Sequence, residues 1–83
     1  MKLVIAADAL KVLLRMPRRE AAGLREKLAQ FADDPYGPHP WAKGFGGSSG
    51  RIRHGDWRAI YEIDGPTITV LIVKIGNRKE VYR

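Results

Sequence analysis

Gly55-Asp56 separates two stretches of alternating side chains, Arg51-Ile52-Arg53-His54 and Trp57-Arg58-Ala59-Ile60-Tyr61-Glu62-Ile63. Glycine in the first central position is what a two-residue type II′ hairpin turn prefers. Such a turn sets the pairing: His54 opposite Trp57, Arg53 opposite Arg58, Ile52 opposite Ala59 and Arg51 opposite Ile60. Strand side chains alternate between faces. Ile52, Trp57, Ala59, Tyr61 and Ile63 therefore share one face, and Arg51, Arg53 and Arg58 share the other. A slip of one residue would turn three guanidinium groups inward, and burying them without partners is costly. His54 falls beside Trp57 on the apolar face, where a structural role is expected.

Two arginines directly opposite each other destabilise a sheet unless something neutralises them. Glu62 is the one acid on that face of the hairpin, and it lies further along the strand. The arrangement points to a bound anion. The whole chain leans the same way: 83 residues carry a net charge of +6, which favours phosphates or acidic surfaces. With 45% hydrophobic residues the chain is expected to fold rather than stay disordered, and its length makes a single domain over residues 1–83. Without cysteine there is no disulfide or thiolate–metal framework. His39 and His54 stand on different segments without an acidic cluster, so neither a metal nor another cofactor is expected. The apolar run that starts at Leu3 is cut short by Asp8, and no stretch has the length of a membrane span, so the cytoplasm is the expected compartment.

The remaining elements follow from spacing. Leu3-Val4-Ile5 predicts a short strand. Asp8 stands where a helix is capped, with Leu10, Leu13 and Leu14 behind it at helical spacing. Pro17 suits the start of a second helix, in which Ala21, Leu24, Leu28 and Phe31 recur every three or four residues until Asp33-Asp34-Pro35. The charges between them, Arg18, Arg19, Arg25 and Lys27, are expected on a solvated face or at the rim of a partner groove. Residues 34–50 are rich in Gly and Pro and read as a loop held down by Tyr36, Trp41 and Phe45. Trp41 is expected to pack over that loop rather than to stack a base. The glycines of the loop do not make a phosphate-binding P-loop, because no Gly-Lys-Ser/Thr leads into a helix. Strands are expected over about residues 51–54, 57–63 and 67–75. The last of these is apolar on both alternations and is expected in the sheet centre, covered on both faces. Val81-Tyr82 adds a short final strand. The fold class is α+β, in the order β-α-α-β-β-β(-β): a helical hairpin packed on one face of a small, mainly antiparallel sheet.

Arg51, Arg53, Gly55, Asp56, Trp57, Arg58 and Tyr61, followed by an apolar strand and then Ile75, Gly76, Arg78 and Tyr82, resemble the signature of the RelE/ParE superfamily of toxins from type II toxin–antitoxin pairs. Ala9-Leu10, Leu13 and Pro17 resemble its helical hairpin, and Trp41-Ala42-Lys43-Gly44 its Leu-Lys-Gly segment. The likeness spans nearly the whole chain, and it is specific in its ordered combination rather than in any single element. It implies a metal-independent endoribonuclease that cuts messenger RNA, ribosome-dependent and inhibiting translation, with a small acidic antitoxin as partner. Members of the ParE branch inhibit DNA gyrase instead, and a third possibility is a catalytically inactive antitoxin-binding module. The Gly-x-Arg-x-x-x-Tyr ending resembles the nuclease branch.

Carried over by position, the resemblance makes Arg51, Arg58, Arg78 and Tyr82 the catalytic set. Arg51 acts on the 2′-hydroxyl side, Arg58 stabilises the phosphate, Arg78 stands near the leaving oxygen and Tyr82 orients or stacks on the substrate. Lys43, Arg53, Lys79 and Arg83 are the further RNA and phosphate contacts. Three positions depart from the pattern. Arg51 replaces a lysine, Ser49 replaces another lysine, and Asn77 replaces a histidine found in many relatives. Arginine stays protonated, so the proton acceptor would be Tyr82, His54, Lys43 or a ribosomal group.

Overall fold

A computed structural model describes residues 1–77. Five strands form one sheet in the order β1-β5-β4-β3-β2, with β1 Lys2–Ile5, β2 Ala42–Gly44, β3 Ser49–His54, β4 Trp57–Asp64 and β5 Thr69–Asn77. The helices α1 (Ala7–Arg15) and α2 (Arg18–Asp33) pack on one of its faces. Neighbouring strands are antiparallel except β1 and β5, which run parallel. This is the expected α+β class, with one strand more than the order anticipated. The final strand expected at Val81-Tyr82 lies outside the described residues.

The β3–β4 hairpin has the register that its turn dictates: Arg53 pairs with Arg58 and His54 with Trp57. Gly55 adopts φ 60° while Asp56 stays at negative φ, which is the II′ geometry. The inward face supplies Ile52, Ala59 and Tyr61 to the core. From the helices come Leu13, Leu24, Leu28 and Phe31, all buried. Phe31 tilts against Tyr61 with ring centroids 4.4 Å apart.

Several expectations are corrected. The presumed loop contains β2, which pairs with β3 through Ala42–Ile52, Lys43–Arg51 and Gly44–Gly50. Three residues of low strand propensity carry no strand signal of their own; the ladder of β3 imposes it. Asp8 is not the cap of α1: Ala6 holds that position without a side-chain bond, and Asp8 sits in the first turn, favourably placed against the helix dipole. Ala9 and Leu13 form the buried stripe of α1, whereas Leu14 is 66% exposed. Pro17 is the N-cap of α2. Strand β5 is indeed central, but only one of its faces is covered. A register irregularity opposite Ile60/Tyr61 leaves Val73 unpaired between Ile72 and Lys74. This bulge changes the alternation. Ile72 and Ile75 both reach the core, while Val73 is 37% exposed.

Candidate functional site

The uncovered sheet face is the candidate site. Its cross-strand rows follow from the ladders. One row runs Lys43–Arg51–Ile60–Lys74, and the next carries Arg53–Arg58–Gly76. Like charges thus stand opposite each other twice, and neither row contains a carboxylate. Glu62 is further along β4, between Ser49 and Leu71. Like charges at facing cross-strand positions repel each other, and an anion lying across Arg53 and Arg58 would offset that repulsion.

Arg58 is the best-positioned cation. Its Nη1 donates to the carbonyls of Gly55 at 2.7 Å and Trp57 at 3.0 Å. The hairpin turn therefore holds the guanidinium in place. Its Nε–H is buried and has no acceptor among the described residues. An orphaned buried donor in a charged group is rare and calls for an explanation. Both backbone contacts come from Nη1, and Nε is left without an acceptor among the described residues. Gly76 pairs with Arg58 across the ladder and brings no side chain against it.

Lys43 and Arg53 are exposed, and Arg51 is half-buried. These three and Arg58 stand in the adjoining rows of the same face. Arg78, Lys79, Tyr82 and Arg83 lie outside the described residues. Asn77, the last one described, ends β5 opposite Trp57. Lys74 was not anticipated. A lone charge within the apolar run of β5 was the available signal, but its row depends on the bulge.

His54 lies on the helix side. Its ring occupies the space that a side chain at position 23 of α2 would need, and its Nδ1 is buried without a partner among the described residues. This removes His54 from the basic face and from the set of proton acceptors. Trp57 is also turned to the helices, and its indole N–H donates to Glu20 at 2.5 Å. Tyr61 sends its hydroxyl toward Gly44 and Gly50, and burial pushes the phenol above its ordinary pKa of 10.0. Lys27 is not simply solvated. Its ammonium donates to the Arg53 carbonyl at 3.2 Å. Burial first, and the Arg53 charge second, lower its pKa below the ordinary 10.5.

With this geometry in view, the chain was compared with known proteins. The family model described as the ParE toxin of the type II toxin–antitoxin system parDE matches residues 3–82. The chain belongs to this toxin family. No curated protein matches this toxin. Among solved structures it is similar to the isolated E. coli RelE toxin, with a TM-score of 0.79 at 22% identity, covering 98% of this chain and 89% of RelE. The toxin–antitoxin complex RelBE2 from Mycobacterium tuberculosis gives a TM-score of 0.74 at 22% identity, over 93% and 96% of the two chains. The YoeB/ParE toxin from Agrobacterium tumefaciens gives 0.75 at 14% identity, over 93% and 98%. At these identities the likeness establishes a shared fold. No helix of the described part is long and apolar enough to cross a membrane.

Proposed function

We propose that this toxin is a metal-independent endoribonuclease that cleaves messenger RNA on the ribosome in the cytoplasm, and that a small acidic antitoxin encoded with it holds it inactive. The observation that carries this reading is the pair of like-charged cross-strand rows, Lys43–Arg51 and Arg53–Arg58, beside the Arg58 donor that lacks an acceptor among the described residues. A phosphodiester is the anion that fits: guanidinium groups meet its oxygens in two-point contacts.

In the proposed reaction the ribose 2′-oxygen attacks the adjacent phosphorus while the bond to the 5′-oxygen breaks. The 2′ proton goes to a base, and the departing 5′-oxygen gains a proton. The products are a 2′,3′-cyclic phosphate and a 5′-hydroxyl. Negative charge accumulates on the nonbridging oxygens as phosphorus becomes five-coordinate. Fixed cations beside that position lower the barrier without reorganising. Arg58 and Arg53 take this role, Arg51 stands at the nucleophile side, and Arg78 and Tyr82 serve the leaving oxygen and substrate orientation. Arginines stay charged, so Lys43, Tyr82 or a ribosomal group accepts the proton.

The match to the ParE model favours a second reading, inhibition of DNA gyrase without nuclease activity. Induction of the toxin alone in bacteria, with mapping of transcript ends and plasmid topology, separates the two. Transcript cleavage that disappears in Arg58→Ala supports the nuclease. Intact transcripts with altered supercoiling or double-strand breaks support gyrase inhibition.

A further inference from the structure

The basic surface does not stop at the sheet face. Around the β2–β3 edge lies a groove of about 410 Å³ lined by Lys27, Pro40, Trp41, Arg53 and Gly55. It adjoins a second concavity of about 330 Å³ lined by Pro40, Trp41, Ala42, Lys43, Arg51 and Arg53. Trp41 and Arg53 belong to both. A continuous basic path therefore leads from Arg51 and Lys43 past Arg53 and Trp41 to Lys27 on α2. Among the described residues no carboxylate lines either groove.

The indole is held in place. His39 stacks on it with centroids 4.7 Å apart and planes inclined by 30°, and the His39 Nε2 is itself 2.7 Å from the Asp34 carbonyl. The Trp41 carbonyl accepts the Arg53 amide at 2.9 Å. The Lys27 ammonium stands 5.9 Å from the ring centroid and is fastened to the Arg53 carbonyl. An aromatic ring fixed beside two like charges that repel each other is a poor way to stabilise a small protein. Single-stranded nucleic acid is recognised by this combination, cations along the backbone and an aromatic surface for a base.

We propose that the Lys27–Trp41–Arg53 groove is a second nucleotide subsite, which takes one unpaired RNA nucleotide flanking the phosphate held on the sheet face. The base packs on Trp41, and Lys27 meets the phosphate beside it, with Arg53 between that phosphate and the one on the sheet face. Trp41 thus has two roles, closing the edge of the core and presenting its remaining surface to RNA. The inference rests on the RNA reading of the sheet face.

The test is equilibrium binding of the full-length toxin to a fluorescent single-stranded RNA 12-mer across a range of salt concentrations. The proteins compared are the parent, Lys27→Gln, Trp41→Leu, Trp41→Phe and Arg58→Ala. Lys27→Gln should weaken binding and reduce the slope of log affinity against log salt by about 0.7, the value for one phosphate contact on a single strand. Trp41→Leu should weaken binding about tenfold with an unchanged slope, as loss of one base stack does, and Trp41→Phe should retain most of it. On an abasic oligonucleotide the Trp41→Leu effect should vanish while the Lys27→Gln effect persists. Lys27 is at the surface, so its variant keeps the test valid even if Trp41→Leu fails to fold. Binding weakened by Arg58→Ala but untouched by Lys27→Gln and by Trp41→Leu overturns the subsite alone. Equal affinity for duplex RNA also overturns it. A parent protein that does not bind RNA overturns the RNA reading and the subsite together.

Discussion

At the scale of single residues, Arg58 is where local structure and proposed chemistry meet. The turn carbonyls of Gly55 and Trp57 hold one end of its guanidinium, which limits the entropy lost when an anion binds. Arg58→Ala should reduce RNA cleavage by about 10²–10³-fold, the effect of deleting one fixed donor to a developing oxyanion, with little change in thermal stability. Arg58→Lys should not restore the rate, because an ammonium lacks the planar fork. Single-turnover cleavage kinetics check both, and a fully active alanine variant would contradict the assignment. A second residue-scale effect belongs to glycine. A Cβ at Gly23 would collide with the His54 ring. Gly23→Ala should destabilise the protein by about 1–3 kcal/mol, the usual cost of overpacking, despite the better helix propensity of alanine. Adding His54→Ser should recover part of that loss in urea melts.

At the scale of elements, α2 is fastened to the β3–β4 hairpin by the Trp57–Glu20 hydrogen bond, the fit of His54 over Gly23, and Lys27 on the Arg53 carbonyl. The hairpin that carries Arg53 and Arg58 is thereby fixed from its inner side. Trp57→Phe removes a bond to a carboxylate and should cost about 1.5–3 kcal/mol of stability; unchanged urea midpoints would show that the latch contributes nothing. The hairpin was legible in the sequence because Gly55-Asp56 and strict alternation leave one register. The helices were legible from Leu24, Leu28 and Phe31 at their spacing. Strand β2 was not, because Ala42-Lys43-Gly44 lies between Pro40 and a glycine-rich stretch and owes its conformation to pairing. The bulge at Val73 was hidden for a related reason. In a run apolar at every position, nothing local marks where the alternation changes. Hence the exposure of Val73 and the row occupied by Lys74 had to come from tertiary structure. The pairing of Arg53 with Arg58 needed only the turn.

At the scale of the whole molecule, one sheet face is given to the core and the other is left basic, so stability and the proposed RNA binding are separated across the thickness of a single sheet. Tyr61 reports on the inner side. Its raised pKa means that the buried neutral phenol contributes stability that is complete below pH 10.0, the ordinary phenol value, and is lost as pH rises through the higher folded value. Urea melts from pH 8 to pH 11 should show Tyr61→Phe gaining on the parent only in that upper range, and parallel curves would contradict the burial. The outer side is tested most directly by reconstitution. Purified toxin is added to ribosomes loaded with a defined messenger RNA, and the new RNA ends are identified chemically. Discrete cleavage is expected in the presence of chelator, with 2′,3′-cyclic phosphate and 5′-hydroxyl ends, and slowed by about 10²–10³-fold in Arg58→Ala. Intact messenger RNA from a toxin that inhibits gyrase supercoiling in a parallel reaction would contradict it.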